Sequence, residues 1–261
     1  MNRELAAWTQ LTRRLPRVRG AGHISQWVWQ VYKRKPRPHE LADVLGLCME
    51  LDPHQVVDGI LLLAPQLFDY VEISFLQRHL RSGDTFLDAG AYVGMYALTA
   101  SRLVGSAGSV VAVEASPDTY RRLTAHVAWN RAENVQTVHG GLSDQDETLP
   151  LALHPSDAGS NTFLADTTGP TVTVPCRPLL PVLQELGVQH LTGAKFDVEG
   201  FEYRVLRCFL ADAPPSLWPG FVILEWNHLY DQDAGGNAVD LLLRNGYSRV
   251  WSHGLNHILI R

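Results

Sequence analysis

The sequence predicts an α/β fold, a mostly parallel sheet flanked by helices and preceded by a helical cap, on three observations. From Thr85 onward, strand-like and helix-like stretches alternate, the pattern of a parallel sheet. Residues 84–94, Asp-Thr-Phe-Leu-Asp-Ala-Gly-Ala-Tyr-Val-Gly, run a buried strand into an acidic residue and two glycines, the grammar of a loop that receives a nucleotide-type cofactor. Residues 194–202 carry Asp197, Glu199 and Glu202 around Gly200, at the strand end where open α/β sheets bind their ligands.

Taken in order, the first 80 residues read as helices and loops. Leu41–Leu51 and Val56–Leu63 have helical spacing of apolar residues, separated by the helix-start signal Asp52-Pro53. The boundary near residue 80 separates this N-terminal helical cap from a main domain covering 81–261. In that domain Thr85–Asp88 is a strand and the helix after the glycine loop runs from Val93 to about Val104. A strand Val110–Glu114, a helix Pro117–Asn130 and a strand Val135–His139 follow. Between 148 and 178 the rhythm breaks. Leu149–His154 and Thr171–Cys176 alternate like two strands around a polar loop, which predicts a hairpin insertion beside the cofactor half. The α/β pattern resumes with a helix near Leu179–Leu186, strand Ala194–Val198, helix Glu202–Leu210, strand Phe221–Glu225 and helix Ala238–Asn245. Tyr247–Ser252 and Asn256–Ile260, joined around Gly254, close the fold as a hairpin.

Bulk properties narrow the function. A length of 261 residues suits one α/β domain with an extension. No apolar run approaches a membrane span and the N-terminal stretch lacks a contiguous apolar region, so a cytoplasmic protein without a signal peptide is expected. Cys48, Cys176 and Cys208 form no Cys-x-x-Cys or Cys/His cluster, which predicts reduced, packed thiols rather than a zinc site. Nine of the 22 Lys and Arg residues lie in the first 38 positions, against the single acidic Glu4. The remainder has a formal charge of −13, which argues against nucleic acid as its substrate. The basic arm with Trp27 and Trp29 either covers the core or offers a surface to another subunit or an acidic partner.

The residues also sketch the chemistry. Gly90 allows a tight turn, Gly94 allows close helix packing, and the helix N-terminus beyond them favours an anionic group. A plain strand-turn-helix uses glycines too, so the loop alone does not decide. Glu114 ends the second strand, where a carboxylate accepts hydrogen bonds from a ribose diol. That diol is common to NAD and S-adenosylmethionine. Asp144, in Leu-Ser-Asp, is either an adenine contact or a turn cap. Clustered carboxylates at 197–202 resist simultaneous ionisation unless a cation balances them, which fits a sulfonium and ammonium better than a pyrophosphate. Glu202 is also explained by the helix dipole alone.

The combination of Phe-Leu-Asp-Ala-Gly-Ala-Tyr-Val-Gly (86–94), Val-Val-Ala-Val-Glu-Ala-Ser-Pro (110–117), Leu-Ser-Asp (142–144) and Lys-Phe-Asp-Val-Glu-Gly-Phe-Glu (195–202) resembles the FkbM-type methyltransferases. The resemblance implies a class I, Rossmann-like, seven-stranded sheet with its seventh strand antiparallel, S-adenosyl-L-methionine as cofactor, and a hydroxylated small molecule such as a natural product or sugar as acceptor. It implies that Asp88, Gly90 and Gly94 line the methionine side, that Glu114 with Ala115 meets the ribose, and that Ser143 and Asp144 lie near adenine. Asp197 belongs to the same cofactor set. Tyr70 and Glu72 match the family's acidic-aromatic entry segment, with Glu72 near the cofactor ammonium. Where such proteins carry Gly-Ala-Asn, this chain has Gly90-Ala91-Tyr92, so the amide and any polar contact it makes are missing.

Methyl transfer to an alcohol needs positioning and removal of a proton. His228, just beyond the strand ending in Glu225, is the first base candidate, and Asp197 and Glu199 are its rivals. Asp197, Glu225 and Asn227 have the hard oxygen ligands that suit magnesium, although nothing in the sequence requires a metal. Amine methylation, an NAD-dependent oxidoreductase and a non-catalytic binding protein on the same fold remain alternatives. The oxidoreductase lacks a Gly-x-Gly-x-x-Gly, since Tyr92 stands at the second glycine.

Overall fold

The computed structural model describes residues 3–16, 21–34, 38–154, 157–164, 169–227 and 236–261. Helices α1 (Arg3–Thr12) and α2 (Ala21–Tyr32) lead into a hairpin of β1 (Glu40–Val44) and β2 (Leu47–Leu51), then α3 (Val56–Leu63) and α4 (Tyr70–His79). The expected helix over Leu41–Leu51 is therefore a β-hairpin. Its register pairs Val44 with Leu47 across a two-residue turn, Leu45-Gly46, whose φ values of 54° and 87° match the positive pair of a type I′ turn. Apolar residues here fit both periodicities, and the turn decides between them. Ala42, Val44, Leu47, Met49 and Leu51 face the core, while Leu41 and Leu45 are left exposed.

The main sheet is built from β3 (Thr85–Ala89), β4 (Ser109–Glu114), β5 (Val135–His139), β9 (Gly193–Phe196), β10 (Phe221–Glu225), β11 (Ser248–His253) and β12 (Asn256–Ile260). Its strand order is β11-β12-β10-β9-β3-β4-β5. All neighbours from β5 to β10 are parallel, and β12 runs antiparallel between β10 and β11. This is the mostly parallel seven-stranded sheet of class I methyltransferases with one reversed strand. Parallel strands with both faces covered must be apolar throughout, and Val110, Val111 and Ala112 are fully buried. Helices α5 (Met95–Val104), α6 (Pro117–Trp129), α7 (Leu179–Glu185), α8 (Glu202–Asp212) and α9 (Ala238–Arg244) flank it.

The expected hairpin insertion is present as β7 (Glu147–Ala152) antiparallel to β8 (Thr171–Pro178), joined by the short β6 (Gly141–Ser143) parallel to β8. One apolar cluster runs from Val28, Trp29 and Tyr32 through the hairpin and α3 to Phe86, Val110 and Phe221 of the sheet. The N-terminal segment thus shares its core with the sheet. No helix of the described residues is long and apolar enough to cross a membrane. The three cysteines are unpaired thiols.

Candidate cofactor site

Strand order reverses between β3 and β9, with β4 following on the far side of β3. A sheet with such a switch opens a crevice at its carboxyl edge, and a cavity of about 380 Å3 lies there. Its floor is the glycine loop and the segment after β9. Part of its wall comes from Val57, Ile60 and Leu61 of α3, and residues 157–161 with Phe163 cover it from the insertion. Ala158 donates its N–H to Gln55 Oε1 at 2.7 Å, tying that cover to the residue before α3.

Gly90 has φ 81°, and a Cβ there would stand 1.7 Å from the Asp197 carbonyl oxygen. Only glycine lets the ends of β3 and β9 approach so closely. The Gly90 and Ala91 amides both donate to the Val113 carbonyl, at 3.0 and 2.9 Å, which folds the loop back over β4. Gly94, at φ 93°, leaves room for Leu123 of α6, since a Cβ would meet that side chain at 2.6 Å. The two glycines therefore have the roles their spacing predicts.

Tyr92 also adopts a left-handed backbone, φ 51°. Asparagine enters that region readily and tyrosine at a cost of about 1 kcal/mol or more. Its ring compensates by burial beside Arg122, whose guanidinium carbon lies 6.0 Å from the ring centre. The main chain makes a polar contact here: Tyr92 N–H donates to Glu114 Oε2 at 2.7 Å. Glu114 Oε1 accepts from Ser116 N–H at 2.8 Å and the Thr119 hydroxyl at 2.6 Å. Burial raises the pKa of this carboxyl, and those three donors pull it back. Three bonds fix the carboxylate and leave Oε2 a further lone pair at the cavity wall.

The opposite end is acidic. Asp69, Asp197, Glu199 and Glu225 line it, and among the described residues Lys195 is the one basic side chain on the wall. Lys195 is buried, donates to Asp197 Oδ2 at 2.6 Å and lies 4.9 Å above the Tyr96 ring. Burial alone would lower its pKa, but Asp197 and Asp88 hold it raised. Asp88 sits behind the wall with both carboxyl oxygens buried, and burial pushes it up to about 7 against the pull of Lys195 and of the Ala97 amide. Burial, then Asp197 and Glu225, raise Glu199; the charge of Asp197, then burial, raises Glu225. Burial also lifts Asp69, to about 6, and the Tyr96 hydroxyl fixes its Oδ2 at 2.9 Å.

Glu199 stands in the left-handed region at φ 51°, followed by Gly200 at φ 102°. Two contacts hold that turn. The Thr162 hydroxyl donates to the Glu199 carbonyl at 2.7 Å, and Glu202 accepts from the amides of Val198 and Gly200 at 2.7 and 3.0 Å. Glu202, the first residue of α8, thus ties the preceding turn to the start of the helix.

Of the residues proposed from sequence, Gly90, Tyr92, Glu114, Ala115, Asp197 and Glu199 line one cavity. Asp88 and Gly94 support the wall without lining it. Tyr70 is exposed, and Glu72 is buried outside the cavity, accepting from Asn256 Nδ2 at 2.7 Å. Ser143 is spent on Glu147, 2.5 Å away, and Asp144 on Arg204 and Arg207, at 2.5 and 2.9 Å, so neither lines the cavity. His228 lies outside the described residues. Asn227 borders a water-sized recess beside Asp197 and Glu225. Among the described residues no group of three or more His, Cys, Asp or Glu side chains could hold a metal ion, so the magnesium reading has no support. Sequence reasoning missed Asp69, Tyr96 and Lys195. Lys195 had a signal, since it shares a strand face with Asp197 two residues on; Asp69, at a helix start, had none.

Comparison with known proteins gives a consistent family. Residues 88–249 match the methyltransferase FkbM domain, and residues 25–147 also match the protein-L-isoaspartate(D-aspartate) O-methyltransferase family. No curated protein matches. Among solved structures, the chain is similar to an FkbM methyltransferase from Methylobacillus flagellatus, at 13% identity and TM-score 0.47, over 92% of this chain and 59% of that one. It is also similar to an O-methyltransferase from Bacillus cereus solved with S-adenosylhomocysteine, at 10% identity and TM-score 0.47, over 98% of this chain and 100% of that one. A third is Aeropyrum pernix fibrillarin with natively bound S-adenosyl-L-methionine, at 15% identity and TM-score 0.44, over 73% of each chain. With most of its length matched by that family model, this chain belongs to the FkbM methyltransferase domain family of S-adenosylmethionine-dependent methyltransferases.

Proposed function

We propose that the protein methylates a hydroxyl group of a small molecule, a natural product or a sugar, using S-adenosylmethionine. The observation that carries this reading is one continuous cavity with a fixed carboxylate, Glu114, at one end and a surplus of carboxylates at the other. The donor set suits the cofactor. Glu114 Oε2 retains a lone pair for a ribose hydroxyl, and the acidic end supplies the negative charge that a sulfonium and an ammonium require. The bound cofactor would supply a methyl group on cationic sulfur. Asp69, held by Tyr96 and lining the cavity, takes the ammonium contact that the resemblance had given to Glu72.

Proton management falls to the acidic end. Burial and the neighbouring carboxylates raise Glu199 and Glu225 above the ordinary carboxylate range, a positive sulfonium or ammonium beside them would favour their ionised forms, and an acceptor hydroxyl must lose its proton as it attacks. Asp197, with one oxygen on Lys195 and its side chain on the cavity wall, is placed to receive that proton, and His228 is the other candidate. The same carboxyl groups favour one second reading, an amine-bearing acceptor whose positive charge they would balance.

The test has two parts. Calorimetry with S-adenosylhomocysteine should show binding that Glu114→Ala weakens strongly, and a folded protein that binds none would end the proposal. Transfer of a labelled methyl group to a panel of alcohols, sugars and amines then separates oxygen from nitrogen acceptors.

A further inference from the structure

Residues 1–87 lie outside the segment that matches the FkbM domain, yet their hairpin reaches the cofactor loop through an imidazole. Strand β2 turns the backbone groups of Cys48 and Glu50 away from β1 and towards α6. Arg122 and His126 of α6 and Asn130, the residue that follows it, receive them at four-residue spacing. Arg122 Nη2 donates to the Glu50 carbonyl at 2.8 Å. Glu50 N–H donates to His126 Nε2 at 2.8 Å. Asn130 accepts from Cys48 N–H at 2.9 Å and donates to its carbonyl at 2.8 Å. A helix thus takes the place of a third strand, one turn per paired residue.

His126 has a second contact. Its Nδ1 lies 2.8 Å from the Val93 carbonyl, inside the glycine loop. An amide can only donate and a carbonyl only accept, so Nε2 is the acceptor and Nδ1 carries the hydrogen, which makes the ring neutral with one tautomer. The ring is fully buried, so a lost partner on either side leaves a costly unsatisfied atom. Val93 directly follows Tyr92, whose N–H orients Glu114. The hairpin, the imidazole, the strained loop and the ribose-facing carboxylate form one chain of contacts.

We propose that His126 is a positioning residue for the cofactor loop, and that the N-terminal hairpin sets cofactor affinity through the Glu50 N–H it delivers to that ring. The inference rests on the reading of Glu114 as a cofactor ligand. It differs from a satisfied core histidine in one respect: removing a single backbone hydrogen outside the FkbM-matched segment must change the loop.

Glu50→Pro deletes that hydrogen. The N–H points outward from β1, so the hairpin ladder survives, as proline on an outward-facing strand edge allows. Glu50→Ala keeps the N–H and removes the side chain. The expected result is S-adenosylhomocysteine affinity at least fivefold weaker for Glu50→Pro than for Glu50→Ala, with faster hydrogen exchange in the peptide carrying Tyr92–Gly94. Should Glu50→Pro fail to fold, His126→Phe, which keeps the ring volume and loses both bonds, must show the same two changes. Asn130→Ala, which removes both bonds to Cys48 and the side-chain bond to the His126 carbonyl but leaves the two contacts of the imidazole, should leave loop exchange unaltered. Equal affinity and equal loop exchange for folded Glu50→Pro and Glu50→Ala overturn the proposal. The exchange measurement needs no ligand, so it judges the coupling even if the wild-type protein binds no S-adenosylhomocysteine and the proposed function fails.

Discussion

The two ends of the cavity solve opposite problems. At Glu114 a buried carboxylate is matched by two amides and a hydroxyl, so its charge and direction are set before any ligand arrives. At the other end Asp69, Asp197, Glu199 and Glu225 face Lys195 alone among the basic residues of the wall, and burial with mutual repulsion raises three of them. A site complete in itself recognises a neutral, hydrogen-bonding group. One left short of positive charge waits for a cation. The difference teaches that, on the proposed cofactor reading, affinity at the first end would come from preorganisation and at the second from charge brought in by the ligand.

The strongest way to break this contrast is at Gly90, where the ends of β3 and β9 meet. Gly90→Ala drives a Cβ onto the Asp197 carbonyl, and a loss of about 3–5 kcal/mol in stability together with all detectable S-adenosylhomocysteine binding is expected by denaturation and calorimetry. Unchanged binding would mean that the two strand ends need not be so close. Next is Lys195→Met, which strands Asp197 and Asp88 without their cation and should cost about 3 kcal/mol in urea denaturation, in the range for breaking a buried pair. A neutral effect would show that the acidic end tolerates still more negative charge.

Glu114→Ala tests the preorganised end. It should weaken S-adenosylhomocysteine by about 2 kcal/mol, roughly thirtyfold, read by calorimetry, as expected for a charged hydrogen-bond acceptor. The smallest effect is one of pH. Glu199 keeps its proton when folded and loses it near the ordinary carboxylate pKa when unfolded, so unfolding releases a proton and stability declines as pH rises from about 4.5 towards the raised folded value. Glu199→Gln should flatten that decline between pH 6 and 8.5 in thermal melts. A slope equal to the wild type's would place the raised carboxyl elsewhere.

Much of this was legible in the sequence because it depends on local grammar. The alternation after Thr85 fixed strand and helix identity, and Gly90, Gly94 and Glu114 fell where spacing placed them. What escaped reading depends on contacts distant in sequence. Leu41–Leu51 carries apolar residues at both helical and strand spacing, and its hairpin is held by α6 side chains some 80 positions later. Asp69 and Tyr96 reach the cavity from two helices that no motif joins. Asp144 was placed near adenine by resemblance, but Arg204 and Arg207, 60 or more residues on, claim its carboxylate.

The reversed strand β12 has a consequence for how the chain is assembled during synthesis. It lies between β10 and β11 in space, yet follows both in sequence. While the chain is emerging, β10 carries an unpaired edge beside the acidic end until Asn256–Ile260 slot in, and the Asn256 side chain then closes onto Glu72, 184 residues away. The last piece of the sheet to be made is therefore an interior one, so the nascent chain passes through a stage with an open, apolar β10 edge, the kind of surface on which premature association begins.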